Sequence, residues 1–339
     1  MTKTHIPYPS TNQFHSVVKQ VRDTCKYHSA PLPKLTFHGT VKLHGTNAGI
    51  SFNAGNPSDF WVQSRSNIIS PESDNNGFAA YIHKNRDVIS KLMQLVNGYS
   101  APGQVMSVYG EWCGGNIQKN VAVTQLERMF VIFGISIVSG DTTTWFNPIM
   151  IANALYPIIN ELNSIRTFNI NKFEIYQIDI DFANPELSQN VLVDYTNKVE
   201  AECPVGKYFG VSGVGEGIVW RNHDFWYKQE LFFKVKGEKH SESKVKSLAE
   251  VDVEKIQNVK LLAEAIVTDH RLEKKFDELK GERDSISNDD MGSFLKLVNT
   301  DVLKEELDRI VASDLEVKSV MKAVSGIARN WFMKTVNKV

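Results

Sequence analysis

The chain of 339 residues is 42% hydrophobic and 23% charged, with 21 Gly and 11 Pro, a composition that excludes collagen-like, low-complexity and wholly disordered classes. Lys and Arg number 38 against 39 Asp and Glu, a formal net charge of -1, so the chain lacks the basic excess of many dedicated nucleic-acid binders. Cys25, Cys113 and Cys203 form no CxxC pair, which argues against a disulfide framework or a zinc site and for a reducing cytoplasm.

From about Leu35 to Lys236 short β-type runs alternate with Gly, Asn, Ser and Pro clusters. TFHGTVKLHG, FWVQSR, QVMSVYGEW, MFVIFGISIV, KFEIYQIDI, GEGIVWR and LFFKVK all read as strands. The longest apolar run, Met129 to Val138, is too short to cross a bilayer, and MTKTHIPYPSTNQF has no apolar signal core, so no membrane partner is expected. Helical spacing interrupts the strands at Phe78 to Val96 and at about Pro185 to Glu200. Seven carboxylates and one lysine between Glu174 and Glu202 read as a solvated face. The short echo HGTVKLHGT is too brief to be a structural repeat. These features define an α+β class with largely antiparallel pairing rather than βαβ alternation.

After His240 the apolar positions take helical spacing. Ile256, Val259, Ala263 and Ile266 come first, then Leu272, Phe276 and Leu279 before Gly281. Val302, Leu303, Leu307, Ile310 and Val311 mark a third helix, and Val317, Val320, Met321, Val324, Ile327, Ala328, Trp331 and Phe332 a fourth. Two domains are expected, 1-243 and a small all-α 244-339, in a chain that needs no partner copy to cover its helices and is expected to be a monomer.

Lys-x-x-Gly occurs three times, at Lys42, Lys207 and Lys234, about as often as chance allows, so only the surroundings separate them. A lysine that attacks a phosphate must be neutral, and with a reference pKa of about 10.4 only about one in a thousand is so near pH 7.4. Neighbouring cations and a carboxylate-held metal favour the neutral amine and offset phosphate charge. Lys42 has such candidates downstream: Arg65, Glu111, Phe133, Glu216, Lys234 and Lys236. Lys207 is followed by too few elements to build a cleft, and Lys234 reads as a same-face partner of Lys236. Glu111 and Glu216 each follow a glycine beside apolar runs, where a carboxylate is not buried without a partner or a metal. Phe133 sits in an apolar strand and, taken alone, is more often core than stacking platform, with Phe130 the other candidate, and His44 is either a core histidine or a site residue. Gly213 to Gly217 is a turn into a strand, because no GK[ST] and no helix follow it.

KLHGTN (Lys42 to Asn47), YGEWCGGNIQKNVAV (Tyr109 to Val123), FVIFGI (Phe130 to Ile135), EGIVWR (Glu216 to Arg221) and FFKVKGEKHSE (Phe232 to Glu242) together resemble the covalent nucleotidyltransferases. The chain is most similar to the phage-type RNA ligase 2 family. That resemblance implies an ATP-grasp-like nucleotidyltransferase (ligase) domain of mainly antiparallel sheets with helices, followed by the helical domain. It implies an ATP-dependent RNA ligase that uses Mg2+ or Mn2+ and joins RNA 5′-phosphate and 3′-hydroxyl ends, at nicks in duplex RNA, as in RNA repair in the cytoplasm of a host cell.

By the same resemblance Lys42 is the nucleophile that becomes lysyl-AMP, and Lys234 and Lys236 contact the phosphates. Glu216 assists the metal together with ATP phosphates and waters, Glu111 faces the ribose, and Phe133 stacks on adenine. Arg65 engages the nucleotide and the RNA 5′-phosphate, while Asn47, with His44 beside it, belongs to the extended first motif. Val41 and Gly134 depart from the family pattern, where a glutamate and an aspartate are common, and these departures bear on base selectivity rather than on the reaction class. A DNA ligase or mRNA-capping guanylyltransferase shares the lysine chemistry but usually appends a β-rich domain. A non-catalytic nucleic-acid adaptor would be expected to have lost a charged site residue.

Overall fold

The structure, a computed structural model, describes residues 2–222, 228–240, 259–281, 283 and 285–336. The expected boundary at 243/244, together with Ser241, Glu242 and Ile256, lies outside the described residues. The chain packs as two compact units that interleave along the sequence: Met1–Thr11, Leu35–Ile180 and Tyr195–Phe232 in the first, and Asn12–Lys34, Asp181–Asp194 and Phe233–Val339 in the second.

In the first unit one sheet has the strand order Ile68–Ile69, Trp61–Ser64, Thr46–Asn53, Val105–Cys113, Met129–Ser139, Thr142–Trp145, with Thr167–Asn169 added parallel to Met129–Ser139. Its other pairings are antiparallel. Period-2 alternation sends Ile50, Phe52, Met106, Val108 and Ile132 to one face, where helices Phe78–Lys84, Arg86–Asn97 and Pro148–Leu155 bury Phe78, Ile82, Leu92, Met93 and Leu155 against them. The expected helix over Phe78 to Val96 is thus two helices, divided at Asn85, which also ends the first.

The opposite face is polar and is closed by the N-terminal segment. Ser51 Oγ and Ser107 Oγ lie 2.7 Å apart, Gln63 accepts from Ile6 N at 3.2 Å, and Tyr109 OH donates to Ile6 O at 3.0 Å. Those side chains satisfy buried groups that the sheet ladder does not reach.

Lys34–Lys42 belongs to a second sheet, flanked within this unit by Ile175–Asp181 and by antiparallel Gly217–Asn222, whose Gly217 stands opposite Lys42. Along Ile175–Asp181 burial alternates, leaving Glu174 and Asp179 exposed as expected of the acidic stretch. TFHGTVKLHG therefore ends as a strand at Lys42, and a separate strand, not read from the sequence, begins at Thr46.

In the second unit Asn12–Gln13 pairs parallel with Phe233–Lys236, and helix Phe14–Tyr27, also unread from the sequence, buries Phe14, Val17 and Val21. Its remaining helices are Val259–Ile266, Asp269–Gly281, Met291–Ala312 and Val317–Val336. They share a core of Leu262, Ile266, Leu272, Phe276, Phe294, Val298, Ile310, Val320, Val324 and Phe332. Of the expected third face only Val302 and Ile310 are buried, while Leu303, Leu307 and Val311 are exposed, because the buried stripe of Met291–Ala312 runs through Phe294, Val298, Val302 and Ile310 at helical spacing. Among the described residues no helix is long and apolar enough to cross a membrane. The architecture is the expected α+β fold with a helical C-terminal region.

Candidate active site

Lys42 is the last residue of its strand, and the next strand starts at Thr46 in the other sheet. Three residues, Leu43, His44 and Gly45, carry the chain between sheets. The crossover is tight enough that a Cβ at Gly45 would lie 2.3 Å from Trp112 O, closer than any real contact. This explains why the motif needs glycine there and why the lysine emerges at a strand end, where its side chain leaves the pleat.

Lys42 Nζ lies 2.8 Å from Glu216 Oε2, with the lysine side chain 20% exposed and the glutamate 1%. Buried His44 brings Nδ1 to 3.3 Å from the same oxygen. Glu216 is delivered by the glycine run before Gly217–Asn222: Gly215 N donates to Val199 O at 3.1 Å, and a Cβ there would lie 2.5 Å from that oxygen. Cys203 N donates to Gly213 O at 2.8 Å, and Ala122 N donates to Val214 O at 2.8 Å. The turn reading of Gly213 to Gly217 holds, and Oε2 of the buried carboxylate meets both Lys42 and His44.

Glu111, on Val105–Cys113, faces Asn47 across the strand pair. Its Oε1 accepts from Gly45 N at 3.0 Å, so it grips the crossover directly. Below it the loop Gly114 to Asn120 turns through left-handed backbone at Gly114, Gly115, Asn116 and Asn120, residue types that tolerate positive φ. Gln118 from that loop donates to Gly45 O at 3.3 Å. GNIQKNVAV and KLHGTN are thus two halves of one contact. Asn75 Nδ2 adds a bond to Thr46 Oγ1 at 3.0 Å.

Phe133 and Phe130 part company. Phe130 is fully buried beside Phe78, 4.9 Å between centroids. Phe133 falls at a register shift, since Tyr109 pairs with Gly134 while Gly110 pairs with Ile132. That bulge leaves one extra residue to be re-aimed, and the half-buried ring packs edge-on against Tyr8 at 4.9 Å. Arg221, in EGIVWR, donates to Phe133 O at 2.9 Å and to Tyr8 OH at 2.6 Å. Burial pushes the Tyr8 phenol above its ordinary value, and the charges of Arg221 and Arg65 pull the other way. Arg65 donates to Ser10 Oγ at 3.3 Å. Tyr8 and Arg221 carried no motif signal beyond the arginine closing EGIVWR.

Lys234 and Lys236 lie on Phe233–Lys236 in the second unit, alternating with buried Phe233 and Val235. Lys234 is ion-paired with Glu305. Lys207 is an exposed cation paired with Glu202 at 2.9 Å. So the structure joins Lys42, His44 and Glu216, and joins Asn47 with Glu111 at the same crossover. Phe133 and Arg65 meet the N-terminal segment instead. Among the described residues no three His, Cys, Asp or Glu side chains are grouped to hold a metal. Glu216 is a hard oxygen donor of the kind Mg2+ takes singly, with phosphates and waters completing its shell.

Where the chain passes from one sheet to the other, a strand-end lysine thus stands on a buried carboxylate. The model of the RNA ligase family matches residues 35–236, and the chain belongs to that family. No curated protein sequence matches it. Among solved structures it is similar to a Naegleria gruberi RNA ligase mutant with ATP and Mn (16% identity, TM-score 0.47, 70% of this chain and 58% of that one). An archaeal ATP-dependent RNA ligase is similar at 11% identity and TM-score 0.41, over 90% of this chain and 65% of that one. The chain thus spans less than two thirds of either solved relative.

Proposed function

We propose that the protein is an ATP-dependent RNA ligase of the phage-type RNA ligase 2 group that seals 5′-phosphate and 3′-hydroxyl ends at nicks in duplex RNA. The observation that carries this is the Lys42 amine 2.8 Å from the buried Glu216 carboxylate at the inter-sheet crossover, inside the segment that matches the family. In the first step the neutral Lys42 amine attacks the α-phosphorus of ATP; a P–N bond forms, the bond to the bridging oxygen breaks, and pyrophosphate leaves. An RNA 5′-phosphate oxygen then displaces Lys42 from lysyl-AMP, and the RNA 3′-hydroxyl finally attacks that phosphate and expels AMP.

Glu216, with His44 on the same oxygen, orients Lys42 and accepts the proton that its ammonium loses before attack. Bound Mg2+ or Mn2+ would be held by Glu216 with phosphates and waters, and supplies charge neutralisation at the transferring phosphoryl group. Glu111 faces the ribose, bulged Phe133 stacks on adenine, Arg65 engages the nucleotide and the RNA 5′-phosphate, and Asn47 serves the later sealing steps. Lys234 and Lys236 neutralise phosphate oxygens, and the helical residues after 243 clamp the duplex.

Incubation with ATP labelled at the α-phosphate, followed by denaturing electrophoresis, tests this reading. Wild type should carry covalent label, and Lys42→Ala should lose it by at least about 1,000-fold. Unlabelled wild type, or equal label on Lys42→Ala, would sink the reading. Equal sealing of an all-DNA nick would move the chain to the DNA ligases.

A further inference from the structure

Lys234 is anchored by a charge cluster buried within the helical unit. Glu305, 8% exposed, holds Lys234 with Oε1, and its Oε2 lies 3.4 Å from Arg271 Nη2. Arg271 is fully buried; it also meets Glu306 Oε1 at 3.2 Å and Asp301 Oδ2 at 3.1 Å, and donates to Ile266 O. Lys275 holds Asp301 from the far side at 3.0 Å, and Arg309 holds Glu306 at 2.6 Å. Burying this many charges stabilises a fold less well than apolar packing of the same volume. A cluster whose only task was to hold helices together would be a costly choice.

What the cluster does achieve is a fixed location for one ammonium. Arg271 is immobilised by three carboxylates and a carbonyl, it fixes Glu305, and Glu305 fixes Lys234 Nζ. An ammonium has three N–H donors, so the bond to Glu305 leaves two for another anion. Lys234 is 12% exposed, with little freedom to sample other rotamers.

We propose that Glu305 is a positioning residue for the reaction, holding Lys234 in the orientation in which its remaining N–H groups meet phosphate, with Arg271 as the rigid base. This rests on the ligase reading above, and it gives the C-terminal helices a part in the chemistry as well as in RNA binding.

The test is a double-mutant cycle on the full chain, following the initial rate of α-phosphate label transfer to the protein at several ATP concentrations. Glu305→Ala should slow labelling about tenfold at saturating ATP, a loss in rate rather than in apparent affinity. In a Lys234→Ala background the same change should cost less than about twofold, because the residue it positions is gone. Glu305→Gln, which keeps the shape and one acceptor, should fall between wild type and Glu305→Ala and guards against a misfolded alanine variant. Glu278→Ala, which removes a more exposed partner of Lys275, should label as wild type does. Equal losses from Glu305→Ala and Glu305→Gln with and without Lys234 would overturn this inference alone, whereas unlabelled wild type would overturn the ligase reading and this inference with it.

Discussion

Lys42 and Lys234 each meet a buried carboxylate, but in unlike surroundings. Lys42 meets Glu216 in a small group with His44, and the backbone sets that geometry: Gly45 and Gly215 sit where no Cβ fits. Lys234 meets Glu305 in a cluster that runs on through Arg271, Glu306, Asp301, Lys275 and Arg309, and there the charges themselves set the geometry. On the proposed reading the first arrangement suits a group that changes partners during a reaction, because Lys42 stands at a strand end with its side chain 20% exposed. The second suits a group that must stay still, since moving any member strands a buried charge.

The sharpest way to break this contrast is to perturb each arrangement by its own means. Gly45→Ala forces a methyl against Trp112 O and should shift Lys42 by a fraction of an ångström or more. We expect label transfer to fall about 100-fold with the fold retained by circular dichroism; unchanged labelling would show that the crossover does not set the lysine. Arg271→Met should act on stability instead. It strips the shared cation from Asp301, Glu305 and Glu306, and the helical unit should lose about 3–5 kcal/mol in urea unfolding. A variant as stable as wild type would mean that the cluster relaxes as easily as the Lys42 group.

A smaller effect should appear in pH dependence. Burial raises the Glu306 carboxyl above its usual 4.5, only partly offset by Arg271 and Arg309. Between the unfolded value and the raised folded value the native state therefore binds more protons than the unfolded state, so this group's contribution to stability is greatest below about pH 4.5 and declines as pH rises through that window. Glu306→Gln lacks that slope. The urea midpoint of wild type minus that of the variant should fall as pH is raised from about 4, and a difference that grows with pH would show that the arginines outweigh burial.

The KLHGTN part of the Lys42 group was legible in the sequence because it is local. KLHGTN spans a strand end, a crossover and a strand start, and the GNIQKNVAV loop reports on the same crossover through Gln118. Glu216 was legible because a carboxylate framed by glycines and apolar residues must find a partner once buried. Most helical faces after residue 258 were legible from their 3.6-residue spacing, Leu303, Leu307 and Val311 excepted, and Gly281 does end its helix. By contrast, helix Phe14–Tyr27 has its apolar positions diluted by Lys19, Arg22 and Lys26, and strand Thr46–Asn53 continued a run that already looked like one strand. Phe133 could not be chosen over Phe130 by alternation, because a bulge resets the parity that alternation relies on.

The net charge of -1 is an average that says nothing of where cations gather. What the sequence by itself determined is the α+β class and most of the helical faces of the tail, which depend on strict periodicity; Lys42, Glu111 and Glu216 it singled out by motif, although Glu216 lies 174 residues from Lys42. Only the tertiary structure decided that Tyr8 and Arg221 brace Phe133, that the units interleave, and that Lys234 is bound to Glu305, 71 residues away. Ion pairs between distant segments leave no periodic trace, because a charged residue looks the same in sequence whether it faces water or a buried partner.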